Sequence, residues 1–288
     1  MSPLVVIVGE TASGKSALAM ELAEKFDGEI VCADSWTVYR EFDIGTAKPT
    51  AEDCARVCHH LLDVADPTVG FSAAVFQRLA KKAMSDITAR GKLPILVGGT
   101  GLYIDSILYD YSFLPPSDPE ARVELNAMTL KQLLIRAKEL KLDTEGIDLR
   151  NKRRVIRLIE NNGIRPARKK LRSNTLILGI RRPPEELRER ISNRVDDMIT
   201  RGFAEEVRRL GQTYGWDCEP MRAPDYRAMA AYVQGEFSIH VTKEQIIQND
   251  LQLAKKQRTW FKRNQSIQWL SDRSCAEGIL TTFLNKTN

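Results

Sequence analysis

Leu4-Val5-Val6-Ile7-Val8, followed by Gly9-Glu10-Thr11-Ala12-Ser13-Gly14-Lys15-Ser16, decides how this chain folds. The first five residues are apolar and mostly β-branched, the pattern of a strand buried on both faces. The next eight satisfy G-x-x-x-x-G-K-[ST] directly after that strand and at the opening of a helical pattern. In that setting the glycines let backbone amides wrap an anion, and the helix N-terminus adds its positive end. Gly9, Thr11, Ala12, Ser13, Gly14, Lys15 and Ser16 are therefore candidate diphosphate-binding residues. Lys15 is suited to the outer phosphate oxygens and Ser16 is placed to bind Mg2+. The loop itself does not choose between diphosphate and triphosphate, or say what is done with either.

Outward from this loop, short apolar runs at 29–33, 60–64 and 94–97 alternate with helical patterns at 16–26 and 73–90, which Gly28 and Gly91 terminate. Such alternation predicts βαβ units and a parallel sheet. Pro115, Pro116 and Pro119 end the pattern, and residues 120–160 are helical by period, highly charged and without strands. A strand returns at 175–180, followed by helical patterns at 184–210 and 243–262. The expected fold class is α/β, a P-loop NTPase-like parallel sheet flanked by helices and carrying a small all-helical insertion domain. Residues 1–114 and 170–288 would form the core domain and 115–169 the insertion.

The 288 residues, 43% apolar and 28% charged, suffice for one sizeable core with a smaller lobe. No apolar run approaches the roughly 18 residues that span a bilayer, and no basic leader precedes the first strand. A cytoplasmic protein without membrane contact is expected. Five cysteines, odd in number and scattered, exclude a disulfide scaffold and predict reduced thiols. Cys54, Cys58, His59 and His60 are close in sequence, but no second ligand pair follows downstream, which favours a structural role over a metal site. The net charge of +5 is uneven: residues 150–172 hold ten Lys or Arg and a single acid, Glu160. A second basic cluster lies at 255–263. Clusters of this kind neutralise nucleic-acid phosphates or form solvated helix faces, and charge alone does not decide between the two.

Asp34, in Ala33-Asp34-Ser35-Trp36-Thr37-Val38-Tyr39, falls at the carboxyl edge of the sheet beside the phosphate loop. A carboxylate there can bind metal, accept a proton from a nucleophile, or simply cap the next helix. Further on come Asp43-Ile44-Gly45-Thr46-Ala47-Lys48-Pro49, His59-His60-Leu61-Leu62-Asp63 and Val97-Gly98-Gly99-Thr100-Gly101-Leu102-Tyr103. Taken together, and in this order, these motifs closely resemble the tRNA dimethylallyltransferases, also called tRNA isopentenyltransferases. The likeness continues through Pro116-Ser117-Asp118-Pro119-Glu120-Ala121-Arg122, Asn151-Lys152-Arg153-Arg154-Val155-Ile156-Arg157, Glu189-Arg190 to Met198, and Lys256-Gln257-Arg258-Thr259-Trp260. It covers nearly the whole chain.

The resemblance implies that the loop holds dimethylallyl diphosphate with Mg2+. The exocyclic amine (N6) of the adenosine 3′ of the anticodon, in tRNAs reading codons that begin with U, would attack the allylic carbon. It implies catalytic roles for Asp34 as general base, for Thr100 in orienting the adenosine or that base, and for Arg190 and Arg194 in offsetting charge on the leaving diphosphate. It places Asp34, Ser35, Trp36, Thr37, Lys48, Thr100, Arg122, Arg153, Arg154, Arg157, Arg222 and Tyr226 against the tRNA anticodon stem-loop, with the enzyme a monomer. The adenosine would have to be flipped from its stack. The chain departs from the pattern at Trp36 and Thr37, where the family has a glutamine in place of Thr37, and at Arg222-Ala223-Pro224-Asp225-Tyr226, where it reads Ala-Ile-Gly-Tyr. The rival readings are an adenylate isopentenyltransferase acting on free AMP and a P-loop small-molecule kinase.

Overall fold

The structure is a computed structural model that describes residues 1–115 and 118–286, with Pro119 described by its backbone alone. Pro116 and Ser117, part of one motif and of the expected insertion, lie outside the described residues. Strands β1 (Leu4–Gly9), β2 (Gly28–Cys32), β3 (His59–His60), β4 (Leu93–Gly98), β5 (Thr175–Ile180) and β6 (Gln268–Trp269) form one sheet in the order β3-β2-β4-β1-β5-β6. Every described pairing in it is parallel. β1 lies between β4 and β5, with Val5 opposite both Ile95 and Leu176, which is why its sequence is an unbroken apolar run.

The helices of the first unit are α1 (Lys15–Lys25), α2 (Ala51–Arg56), α3 (Ala73–Ala89) and α4 (Gly101–Leu108). In the second unit lie α5 (Pro119–Ala127), α6 (Leu130–Glu139) and α7 (Lys152–Glu160). The chain then returns to the first unit with α8 (Pro184–Thr200), α9 (Phe203–Tyr214), α10 (Pro224–Val233), α11 (Ile239–Phe261) and α12 (Cys275–Asn285). Their starts follow capping chemistry. Thr50 and Asp53 form a reciprocal box at α2, and Ser72 and Ser238 accept from Val75 and Val241 at α3 and α11. The helical pattern at 184–210 is two helices because Gly202 takes φ +92 between them.

Two apolar clusters hold the first unit. One joins α1 and α12 to the sheet through Leu18, Leu22, Ile95, Leu178 and Leu280. The other joins α8, α9, α10 and α11 to the segment after β2 through Phe42, Ile191, Val207, Met229 and Ile246.

One expectation needs correction. The strand at 60–64 stops after His60, because Leu61 and Asp63 adopt positive φ and turn the chain out of the sheet. Strand β6 has no sequence signal, being a two-residue addition beside β5. The second unit spans Tyr109–Leu171, and an antiparallel bridge between Ser112 and Ala167 joins its two ends. Its core is Leu125, Leu133, Ala137, Val155, Ile156 and Ile159.

Candidate active site

The carboxyl ends of β1, β2 and β4 deliver the phosphate loop, Asp34 and the 98–101 glycine turn to one edge, where open parallel sheets bind ligands. A cavity of about 680 Å³ opens there. Thr11, Ala12, Gly14, Lys15 and Ser16 form one wall and Asp34, Trp36 and Thr37 another. Arg190 and Arg194 of α8 face them, joined by Asn193, Asp225 and Gln257, which the motifs contain without a role, and by Asp250, which no pattern singles out.

The loop is bent for its task by Ala12 at φ +58 and Gly14 at φ +95, the latter capping α1. At Gly9 a Cβ would lie 2.7 Å from Ser13 Oγ and 2.8 Å from the Ile180 carbonyl, so only glycine lets the loop close. Lys15 Nζ donates to the Glu10 carbonyl at 3.2 Å. Burial brings the Lys15 pKa down to about 8, partly opposed by Asp34 and assisted by Arg194. Arg182, just beyond β5, donates to the Ser13 carbonyl at 3.1 Å and pins the loop from outside.

Much of the loop's support comes from α11. Gln257 Oε1 accepts from the Thr11 amide at 2.7 Å, and Arg258 forms an ion pair with the buried Glu10 carboxylate. Trp260 lies against Gly101, where a Cβ would come within 2.4 Å of the indole, and donates to Asp105 at 3.0 Å. The Lys256 to Trp260 motif is thus the brace of the phosphate loop and glycine turn. Its spacing marks one helix face, but nothing in the sequence says which loop that face supports.

Asp34 is half-buried and accepts the Trp36 amide on Oδ1 at 2.8 Å, a local turn that aims the carboxylate at the cavity. Thr100 Oγ1 accepts from the Ser35 amide at 3.1 Å. Thr100 and Ser35 therefore hold the turn carrying Asp34, and neither lines the cavity. On α8, Arg190 donates to Glu186 at 2.8 Å and Arg194 to Asp250 at 2.6 Å. Asp225 at the start of α10 sits close to Asp250, and its pKa is pushed well above the ordinary carboxylate range, first by burial and then by the Asp250 charge. Two of the five buried polar side-chain atoms that lack a partner among the described residues belong to the cavity wall: Thr37 Oγ1 and Arg194 Nε. Buried orphans are rare in finished protein interiors, and their convergence on one cavity marks a place completed by a ligand.

Two residues that the resemblance sets against tRNA have their polar groups engaged inside the protein, although Tyr226 also lines the cavity. Lys48, 8% exposed, donates to the Tyr39 carbonyl, Asp43 and Asp63 at 2.9, 2.5 and 2.6 Å. Tyr226, 1% exposed, packs between Phe42 and Phe203 and donates to Glu206 at 2.6 Å. A motif match carries over a position but not the direction of the side chain. Arg222 is exposed on the short turn before α10 and donates to the Asp217 carbonyl.

In the second unit, described by itself, Arg153 and Arg154 are exposed on α7. Arg122 and Arg157 are half-buried and converge on Glu160, Arg122 at 2.6 Å and Arg157 at 3.3 Å. Arg122 thus holds α5 to α7, while Arg157 pairs within α7 and donates to the Leu114 and Pro115 carbonyls at 3.1 and 3.2 Å, leaving Arg153 and Arg154 as the more available cations.

Glu206 on α9 is a support the sequence did not reveal. Its carboxylate accepts the amides of Asp43, Ile44 and Gly45 at 3.1, 2.8 and 3.3 Å together with the Tyr226 hydroxyl. Glu206→Gln points an NH2 group at buried donors, each costing about 1–3 kcal/mol when unsatisfied. A loss of about 2–4 kcal/mol in urea unfolding is expected on that basis, and an unchanged midpoint would remove Glu206 from this role.

Comparison with known proteins agrees with this geometry. A family profile described as IPP transferase matches residues 37–264. A tRNA dimethylallyltransferase of Anoxybacillus flavithermus is 40% identical over 277 residues, covering 92% of this chain and 89% of the relative. The crystal structure of a full-length tRNA isopentenylpyrophosphate transferase from Bacillus halodurans superposes with a TM-score of 0.77 at 32% identity, over 99% of this chain and 98% of that one. A eukaryotic dimethylallyltransferase acting on tRNA shares the fold, with a TM-score of 0.76 at 24% identity over 94% of this chain and 74% of that one.

Proposed function

The chain belongs to the IPP transferase family, and from that premise we infer that it prenylates tRNA. A dimethylallyl group passes from dimethylallyl diphosphate to N6 of the adenosine 3′ of the anticodon, in tRNAs reading codons that begin with U. The observation that carries this reading is the single cavity in which the phosphate loop, Asp34, Arg190 and Arg194 meet around partnerless buried donors.

The chain's own residues account for each requirement. Loop amides and Lys15 bind the diphosphate, while Arg190 and Arg194 lie where its charge grows as it leaves. The allylic C–O bond breaks with its electron pair going to diphosphate as the N6–C bond forms. Asp34 takes the N6 proton on the oxygen not bonded to Trp36. Thr37 Oγ1, buried at the wall and unpartnered, is offered to the flipped base in place of the family's glutamine, beside the Trp36 indole. The Ser16 hydroxyl is an oxygen donor that suits a hard cation, and we assign Mg2+ to it. Bound there, Mg2+ would supply further charge neutralisation on the diphosphate. Arg153 and Arg154 would meet the phosphates of the anticodon stem-loop.

Among the described residues no helix is long and apolar enough to cross a membrane. We place the enzyme in the cytoplasm, acting as a monomer on free tRNA.

The test is incubation with Mg2+, labelled dimethylallyl diphosphate and unmodified tRNA, with AMP in a parallel reaction and ATP turnover measured separately. Label is expected in tRNA and not in AMP. Label in AMP alone would make the chain an adenylate isopentenyltransferase, and ATP-dependent phosphoryl transfer without prenylation would make it a kinase.

A further inference from the structure

We propose that Glu29, Cys58 and His60 form a binding site for one zinc-class divalent cation at the amino-terminal end of the sheet, away from the phosphate loop. Cys58 and His60 are two apart on an extended segment, so their side chains leave the same face. In the sheet register Val31 lies opposite His60, and Glu29 shares a face with Val31. Strand pairing therefore supplies the third ligand that the local sequence lacks.

The donor atoms are already gathered. His60 Nε2 is 2.6 Å from Glu29 Oε2 and 3.6 Å from Cys58 Sγ, and all three lie within 4.8 Å of one another. Tetrahedral zinc, with Zn–N about 2.0 Å and Zn–S about 2.3 Å, sets its ligand atoms roughly 3.3–3.6 Å apart. Small side-chain rotations suffice to reach this, and the exposure of Cys58 leaves the fourth position to water. A thiolate with an imidazole selects zinc over magnesium. One thiolate and one carboxylate also balance the charge of a divalent ion.

Arg90 donates to Glu29 Oε2 at 2.6 Å and Lys92 lies 3.9 Å from Oε1, so two cations flank the site. Lys92 has its own partner in Asp27 at 3.0 Å. Arg90 would remain on the carboxylate and orient it, as partners outside the metal's own ligands commonly do. Binding forms the metal–sulfur bond, breaks the Cys58 S–H bond and releases that proton to solvent.

Cobalt(II) is the first probe. One equivalent is expected to give a thiolate-to-metal charge-transfer band, with release of a proton and displacement by zinc. Cys58→Ser should abolish the band and lower zinc affinity at least about tenfold, and Cys54→Ser should change neither. Cys58 is exposed, so its replacement should leave the fold intact, and His60→Ala provides an independent second loss. The absence of a thiolate band, or a band that survives Cys58→Ser, would overturn the site.

Discussion

Asp34→Asn should lower prenyl transfer to tRNA by about 10²–10⁴-fold, the usual worth of a positioned general base. The side chain remains the same size. Asn can still accept the Trp36 amide through its carbonyl oxygen, so the turn that accepts at 2.8 Å from that amide is preserved. What disappears is the second carboxylate oxygen, which faces the cavity and receives the N6 proton. Single-turnover rates with saturating donor and tRNA measure the chemical step, and filter binding should show tRNA affinity unchanged. A variant that retains the wild-type single-turnover rate would reassign Asp34 to the turn alone.

The second large effect concerns Lys15. Lys15→Ala should cost about 10²–10³-fold in turnover, comparable with removing one preorganised donor from a developing anion, together with weaker binding of dimethylallyl diphosphate. Wild type should carry a matching pH signature. The Lys15 pKa is lowered to about 8 in the unliganded cavity, so the ammonium is intact below that pH and is lost as the pH rises through it. Asp225, with its pKa displaced upward, is neutral at lower pH and gains its negative charge as the pH rises. Both changes oppose an anion in the same direction. Donor affinity, measured by calorimetry at a series of pH values, should therefore be flat below about pH 8 and fall above it. In Lys15→Ala the fall should shrink to the part carried by Asp225. An affinity that rises with pH would contradict the assignment of these groups to the diphosphate.

How far the sequence alone reaches depends on how local each feature is. The phosphate loop, the strands at 4–9, 28–32, 93–98 and 175–180, and the helical character of the second unit are written in contiguous residues, so pattern and spacing suffice. Asp34 and Thr100 are legible because strand ends in a parallel sheet point to a common edge. Glu206 and Asp250 are invisible to the same reasoning, while Gln257 and Arg258 show only as a motif whose partners are hidden. Each acts on a residue far away in the chain, and an isolated acid on an amphipathic helix looks like solvated surface until its partner is known. Lys48 and Tyr226 fail in the opposite way. Both occupy motif positions, yet Lys48 is the buried counter-ion of Asp43 and Asp63, and Tyr226 fills the space between two phenylalanines. The Glu29, Cys58 and His60 cluster needs strand register, which no count of cysteines supplies.

The brace from α11 has a consequence for the newly made protein. Thr11 is held by a residue 246 positions further on, and Glu10 by one 248 positions further on. During synthesis the segment from β1 through α1 leaves the ribosome with its loop unsupported until Gln257 and Arg258 arrive. Contacts of such sequence separation form late and slow the final step of folding. A chain cut short before residue 257 would keep the whole phosphate-binding signature and still lack the means to hold it in shape. Affinity for the donor is thus acquired only once Gln257 and Arg258 have joined the fold, so fragments terminated before them have little capacity to sequester dimethylallyl diphosphate.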